Sequence, residues 1–163
     1  MNAPKAIEQA IVAVLREYGE LGGETIVRAW QSIEEDPSAS EDPRRRFPQV
    51  DVRCAPATMD ENAITIGADV ACLCGTMLAD DPQHATISGL YDAVQGVLDS
   101  LYGGYISGTE TAALTAFQAS FAASLPGYTF GGFTVVPGLA PYDDDGILMI
   151  GAALRVHYSR SDY

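Results

Sequence analysis

The stretch from residue 63 to residue 78 constrains the fold more than any other, because apolar side chains occupy every second position. Alternation of this kind places one set of side chains on one face of a strand. A shorter alternating run precedes it, and Asp60-Glu61-Asn62 between the two runs has the composition of a turn. The alternating residues are Val50, Val52 and Cys54, then Ile64, Ile66, Ala68, Val70, Cys72 and Cys74. The two runs therefore predict a β-hairpin with a long second strand.

The N-terminal segment has the three- and four-residue spacing of an amphipathic helix. Asn2 is suited to cap its start, Pro4 fits its first turn, and Gly19 is expected to end it. The apolar stripe consists of Ala6, Ile7, Ala10, Ile11, Val14, Leu15 and Tyr18. This pattern predicts a helix that buries one face against the rest of the protein.

Two further helices are predicted in the middle of the chain. The first follows Asp80-Asp81-Pro82 and is expected to stop at Gly103-Gly104. The second covers 109–124, with Thr109 as its expected cap. The two stripes are Ile87, Leu90, Tyr91, Val94, Leu98 and Leu101, then Leu114, Phe117, Phe121 and Leu125.

The C-terminal part returns to strand patterns. A strand containing Phe133 and Val135 is interrupted at Pro137-Gly138, residues 142–146 have turn composition, and 147–158 predicts a final strand. Residues 24–33 fit either a short helix or a strand, and we favour the strand. Together the patterns predict one α+β domain over 1–163. We expect a mostly antiparallel sheet of about four strands, two to three helices packed on one face, and a long polar loop at 34–48.

The charge balance excludes some partners. The chain has 22 acidic and 9 basic residues, for a formal net charge of -13. Nucleic acids and anionic membrane surfaces attract basic proteins, so we expect neither specific nucleic-acid binding nor membrane binding. The acidity also has a simpler explanation, since net charge keeps proteins dispersed. An N-terminal apolar stretch interrupted by charged residues is unlike an export signal, and the expected location is the cytoplasm of the producing cell.

Residues that carry chemistry are few and poorly spaced for it. Cys54, Cys72 and Cys74 offer only a Cys-x-Cys pair, and we interpret them as buried, reduced thiols rather than metal ligands. His84 and His157 lack a recognisable nucleophile motif beside them. The glycine pairs lack phosphate-loop context. We therefore expect no enzymatic activity and no metal or cofactor.

Two charged runs are candidate interaction sites. Arg44, Arg45 and Arg46 form a basic run within an acidic chain, which is either a solvated loop or a contact for an acidic patch on another copy or partner. Asp143, Asp144 and Asp145 precede Gly146, and this composition favours a hairpin tip over a calcium loop.

The order of elements resembles that of a known family. Residues 63–102 join a long strand to an amphipathic helix through Asp-Asp-Pro, and 143–160 run from a turn into a final strand, DDDGILMIGAALRVHYSR. Over residues 4–18 and 50–160 this plan resembles the tail terminator, or tail-completion, proteins of long-tailed bacteriophages. The loop at 34–48 and the helical segment at 109–124 depart from that plan, and either is compatible with a different neck or tail component.

The resemblance implies a structural protein of the virion at the junction between tail and neck. It implies a homo-oligomeric ring, a hexamer in that family, which caps the tail tube protein and contacts neck or connector proteins. Under that hypothesis Arg44, Arg45 and Arg46 lie at an interface, and the acids at 143–145 face the lumen. Two alternatives stay open. One is another head–tail connector or adaptor. The other is a small cytoplasmic ligand-binding module with Trp30, Tyr91 and Phe117 lining a pocket between sheet and helices.

Overall fold

The computed structural model describes residues 2–35 and 47–161. Its helices are α1 (Ala3–Tyr18), α2 (Ala85–Ser107) and α3 (Ala112–Ser124). Its strands are β1 (Ile26–Ala29), β2 (Gln49–Met59), β3 (Thr65–Met77), β4 (Tyr128–Val135), β5 (Leu139–Asp144) and β6 (Ile147–Arg160). A short 3-10 helix, Trp30–Glu35, follows β1 directly.

The described strands form one sheet with the order β1-β2-β3-β6-β4, and β5 pairs with the other half of β6. The pair β1–β2 is parallel, and the remaining pairs are antiparallel. The expected α+β class is confirmed. The expected sheet of about four antiparallel strands matches only in part, because the described residues contain six strands and one parallel pair. The short β1 and the division of one C-terminal strand into β4 and β5 account for the difference.

The alternating residues of the central hairpin lie on the face that packs against the helices. In the register of the sheet, Cys72 lies opposite Val52 on β2 and opposite Ala152 on β6. All three side chains are buried, and they join the buried stripes of the helices in one hydrophobic core. The side chains of intervening positions point to the other face of the sheet. We call this second face the outer sheet face.

The first helix forms as its pattern predicts. The Asn2 side chain accepts a hydrogen bond from the backbone N–H of Lys5 at 2.7 Å, which caps the start, and Gly19 follows the last helical residue. The apolar stripe is buried in the core, apart from the partly buried Tyr18 at its end. Burying one face in this way provides most of the stability of such a helix.

The boundaries of α2 and α3 correct two predictions. Helix α2 continues through Gly103-Gly104 and ends at Gly108, whose φ of 71° suits glycine. Gly104 is buried, and a Cβ placed on it would lie 3.2 Å from Leu114 of α3. This glycine therefore permits close packing of two helices rather than ending one. The cap of α3 is Thr111, not Thr109, since the Thr111 hydroxyl accepts the Leu114 N–H at 3.1 Å.

The predicted stripe of α3 packs on β4 through aromatic rings. Phe117 is fully buried, and its ring centroid lies 5.3 Å from Phe133 and 5.5 Å from Phe130. Phe121 extends the cluster to Tyr158 on β6, at 6.1 Å. Aromatic pairs at these separations stabilise a fold beyond their buried area, so this cluster anchors α3 to the sheet.

The ambiguous segment at 24–33 contains both structures that were considered. Residues 26–29 form the favoured strand, and the 3-10 helix begins at Trp30. The C-terminal pattern is confirmed: β4 and β5 both pair with β6, and the interruption at Pro137-Gly138 separates them. Asp145 and Gly146 have φ values of 51° and 81°, as a two-residue hairpin turn requires.

Candidate functional site

The structure describes one of the two charged runs that were expected to be interaction sites. Arg44, Arg45 and Arg46 lie outside the described residues, so their proposed interface role stays a prediction. Asp143 and Asp144 end β5, and Asp145 begins the turn into β6. All three side chains are exposed. The Asp143 carboxylate accepts the Gly146 N–H at 3.0 Å, so it also helps to form the turn.

The outer sheet face has a centre of small and apolar side chains. Arg53, Ala71 and Ala153 form one row across β2, β3 and β6, and Asp51, Leu73 and Gly151 form the next row. The side chains of Ala71, Leu73 and Ala153 are partly exposed, unlike those of the opposite face. Mostly antiparallel sheets commonly leave one face to water, and this centre is the apolar part of that face.

A charged cluster with one exposed tryptophan borders that centre at the β1–β2 end. Arg28 donates to the Asp51 carboxylate at 2.6 Å, and both side chains are buried. Arg53 lies 3.8 Å from the same carboxylate and stacks over the Trp30 ring at 4.2 Å. Trp30 is 46% exposed and is the only tryptophan of the chain. One aspartate therefore serves two arginines, and the cluster carries excess positive charge beside an exposed aromatic ring.

A second charged pair lies further along the outer sheet face. Arg155 on β6 binds the Asp69 carboxylate on β3 through Nε at 2.6 Å and a terminal nitrogen at 3.2 Å. The neighbouring His157 shares a hydrogen bond of 2.6 Å with the Thr134 hydroxyl on β4. The hydrogen bond that Arg155 donates to the Asp69 carboxylate raises the pKa of Arg155. This bidentate pair has a specific geometry, and it fixes the orientation of both side chains on this face.

The structure brings together one buried polar cluster that the sequence reading missed. Glu8 on α1 is fully buried, and its carboxylate accepts hydrogen bonds from the Gln31 N–H and side-chain amide, each at 2.7 Å. It also accepts the Cys54 N–H at 2.9 Å. The only sequence signal for this cluster was that an acidic residue, Glu8, directly follows Ile7 of the apolar stripe. The cluster ties α1 to the 3-10 helix and to β2.

Asp81 precedes α2 and caps backbone N–H groups in its first turn. Its carboxylate accepts hydrogen bonds from the Thr86 and Ile87 N–H groups at 3.0 and 2.9 Å and from the Thr76 hydroxyl at 3.1 Å. Burial alone would raise the pKa of Asp81, but these hydrogen bonds outweigh burial and lower it. His84 occupies the position before the helix with a φ of 61° and makes no side-chain capping bond.

The cysteines are unsuited to nucleophilic chemistry. All three are free and buried, and Cys72 and Cys74 point to the same side of β3, as the alternation predicts. Burial raises the pKa of Cys54 and of Cys74 to about 12, with Glu8 and Asp69 contributing at Cys54. Burial likewise raises the pKa of Cys72. Since the thiolate is the reactive form, these thiols are inert in the folded protein.

The described residues contain no group of three or more His, Cys, Asp or Glu side chains placed to hold a metal ion. In the same part of the chain, no helix is both long and apolar enough to cross a bilayer.

Trp30, Tyr91 and Phe117 do not line one pocket: Phe117 is in the core, whereas Trp30 is exposed after β1. A surface depression of about 480 Å³ between residues 20–25 and α2 contains none of the three.

The C-terminal edge of the described sheet exposes apolar side chains. Val135 at the end of β4 is 62% exposed, and Leu139 and Tyr142 on β5 are 38% and 44% exposed. Both strands pair with β6 on one side only. Unpaired strand edges offer backbone hydrogen bonds to other chains. The outer edges of β4 and β5 therefore combine unpaired backbone groups with exposed apolar side chains.

Neither protein-family models nor curated proteins give a match to this chain.

Proposed function

We propose that this protein is a non-enzymatic structural component of a tailed-bacteriophage virion, a tail terminator that forms a ring on the tail tube. The proposed location is the tail–neck region, after synthesis in the host cytoplasm. The proposed partners are further copies of the chain, the tail tube protein and the neck or connector proteins. The proposal starts from the order of elements, which resembles that family over residues 4–18 and 50–160.

One observation carries the proposal beyond the resemblance. The three helices share one core with one face of the sheet, while the outer sheet face keeps Ala71, Leu73 and Ala153 partly exposed between charged pairs. Antiparallel sheets often leave one face to water, but an apolar centre between charged pairs is suited to burial against a neighbouring copy. The exposed Trp30 on this face supports assembly further, since Trp and Arg are enriched at the centres of protein interfaces.

The acidic hairpin tip is compatible with a ring through which DNA passes. Asp143, Asp144 and Asp145 are exposed on one projecting turn. If this tip faces the lumen, like-charge repulsion prevents DNA from sticking as it moves. The proposal also includes Arg44, Arg45 and Arg46 as a contact between copies or with a partner. Replacing all three with Ala should weaken assembly, and unchanged assembly would remove them from the proposed interface.

The proposal is tested by the mass of the purified protein, measured by light scattering over a range of concentrations, with negative-stain images of the largest species. Closed rings of several copies would support a terminator or another ring-forming neck protein. Adding purified tail tubes then separates these two, because a terminator binds the tube end and stops tube growth. Failure to bind tube ends would favour the head–tail connector alternative. A monomer at every concentration, with no binding to tubes, would instead favour the ligand-binding module.

A further inference from the structure

We propose that the outer sheet face, with Trp30 and Arg53 at its β1–β2 end, binds the outward surface of α2 on a second copy of the chain. The contact is head to tail, so each copy uses one face to bind the next. This inference rests on the proposed assembly into a ring and specifies which two surfaces meet.

The β1–β2 end of the sheet side carries one excess positive charge in an otherwise acidic protein. Among the charged side chains of β1, β2, β3 and β6 on the outer sheet face, three are arginines and two are aspartates: Arg28, Arg53, Arg155, Asp51 and Asp69. Asp51 is shared by two of the arginines, and Arg53 is the more exposed of them, with 45% of its side chain accessible. Its charge is therefore available to an acidic partner.

The Trp30–Arg53 stack gives this charge a fixed position. The guanidinium carbon lies 4.2 Å from the centre of the Trp30 ring, which holds a long side chain that would otherwise sample many rotamers. Ala71 and Ala153 continue the same row with small side chains. A pre-positioned arginine and an exposed tryptophan beside a flat apolar row form the kind of centre on which interface energy concentrates.

The helix side of the contact has the opposite charge. The 23 residues of α2 and the 13 residues of α3 include two charged side chains, Asp92 and Asp99, and neither helix contains Lys or Arg. Both aspartates are exposed, and they lie two helical turns apart on the side opposite the buried Val94, Leu98 and Leu101. Surface helices of dispersed proteins usually carry charges of both signs. The low charge of α2 and α3 is instead typical of interface centres.

The geometry of the molecule makes this contact head to tail. The helices cover one face of the sheet, and the outward side of α2 therefore points away from the outer sheet face of its own copy. A second copy that places α2 on the outer sheet face supplies the missing layer, as helices do on both sides of many sheets. Because the two surfaces differ, each copy binds the next copy in the same way. A ring forms when the rotation between successive copies brings the last copy back to the first.

Charge reversal tests the contact. Arg53→Glu should repel Asp92 and Asp99 of the neighbour, and Asp92→Lys with Asp99→Lys should repel Arg53. Each change is expected to raise the concentration for half-assembly by about ten-fold or more. Arg160→Glu is the matched control for the first variant, and Glu17→Lys with Glu61→Lys is the matched control for the second. They make the same charge changes on exposed side chains at the end of β6, on α1 and in the β2–β3 turn. Light scattering gives the assembled fraction, and thermal melting verifies that each variant is folded.

Mixing the two kinds of variant distinguishes this contact from a self-complementary one. The Arg53→Glu chain keeps an intact α2 surface, and the Asp92→Lys, Asp99→Lys chain keeps an intact sheet face. The two altered surfaces also carry opposite charges, so an equimolar mixture should form larger assemblies in which the two chains alternate, whereas a self-complementary contact would stop at a dimer. All three changes in one chain should restore larger assemblies. Rings that persist in both variants would overturn this interface and leave the proposed ring function intact. A wild-type chain that assembles neither alone nor on tubes would overturn both.

Discussion

The Glu8 carboxylate on α1 accepts a hydrogen bond from the Cys54 backbone N–H on β2 at 2.9 Å, with both residues buried. The same carboxylate accepts two hydrogen bonds from Gln31. Three elements that are distant in sequence are thereby joined by one side chain. A buried carboxylate is costly unless hydrogen bonds satisfy it, and here three donors do so.

We expect Glu8→Ala to lower the free energy of unfolding by about 2 kcal/mol or more, because it leaves the buried Cys54 N–H without an acceptor and removes two hydrogen bonds to Gln31. Urea denaturation followed by circular dichroism measures this change. Glu17→Ala is the matched control on an exposed position of the same helix, and it should change stability by less than about 0.5 kcal/mol. Equal effects of the two substitutions would show that the buried cluster contributes nothing particular.

The sequence predicts the elements of this fold better than its polar contacts. Periodicity identifies α1, the β2–β3 hairpin and the final strand because burial of one face is a local, repeating signal. The missed extension of α2 through Gly104 depends on α3 packing against that position, which no local pattern shows. Glu8 was missed for the same reason, since its partners Gln31 and Cys54 become neighbours only in the folded chain.

For the candidate surfaces too, the sequence predicts the exposed face of the sheet better than the contacts on it. Alternation in β3 and β6 predicts that one face of the sheet is less buried than the other. It does not predict that Arg53 stacks on Trp30, because this contact depends on β1 pairing in parallel with β2. Parallel pairing of a four-residue strand leaves little sequence signal, so the strand at 26–29 was expected but its place beside β2 was not.

The two adjacent glycines of α2 should respond differently to alanine. Gly103 is exposed, and a Cβ there meets nothing within 4 Å, so Gly103→Ala should stabilise the protein by about 0.5–1 kcal/mol through helix propensity. At Gly104 the added Cβ would lie 3.2 Å from Leu114 and from the Thr109 carbonyl oxygen. Gly104→Ala should therefore gain less or be destabilising. Thermal melting compares the two variants, and equal gains would contradict the close packing of α2 on α3.

Asp81 should make stability depend on pH in acid. Its pKa is lowered in the folded protein from the ordinary value of 3.8, so its stabilising effect is present above that value. The effect is lost as the pH falls through the lower, folded-state pKa. Asp81→Asn should cost about 1–2 kcal/mol at pH 7, since the ionised acceptor for three donors is removed. The difference from wild type should shrink below about pH 4. Urea denaturation at several pH values measures it, with the exposed neighbour Asp80→Asn as control. A difference that stays constant down to pH 2 would exclude the carboxylate charge as its source.

The acidic hairpin tip offers a test of the proposed lumen. Asn tolerates the positive φ of Asp145 and retains an acceptor oxygen at Asp143 for the Gly146 N–H. Replacing Asp143, Asp144 and Asp145 with Asn therefore removes the charge and preserves the turn. We expect unchanged ring assembly by light scattering and slower DNA passage through assembled particles, measured as the rate of DNA release, because repulsion from the lumen is weaker. Replacing Asp60 with Asn and Glu61 with Gln in the β2–β3 turn is the control, since it neutralises exposed acids on a different turn. Loss of ring formation in the triple variant would place this tip at an interface between copies rather than at the lumen.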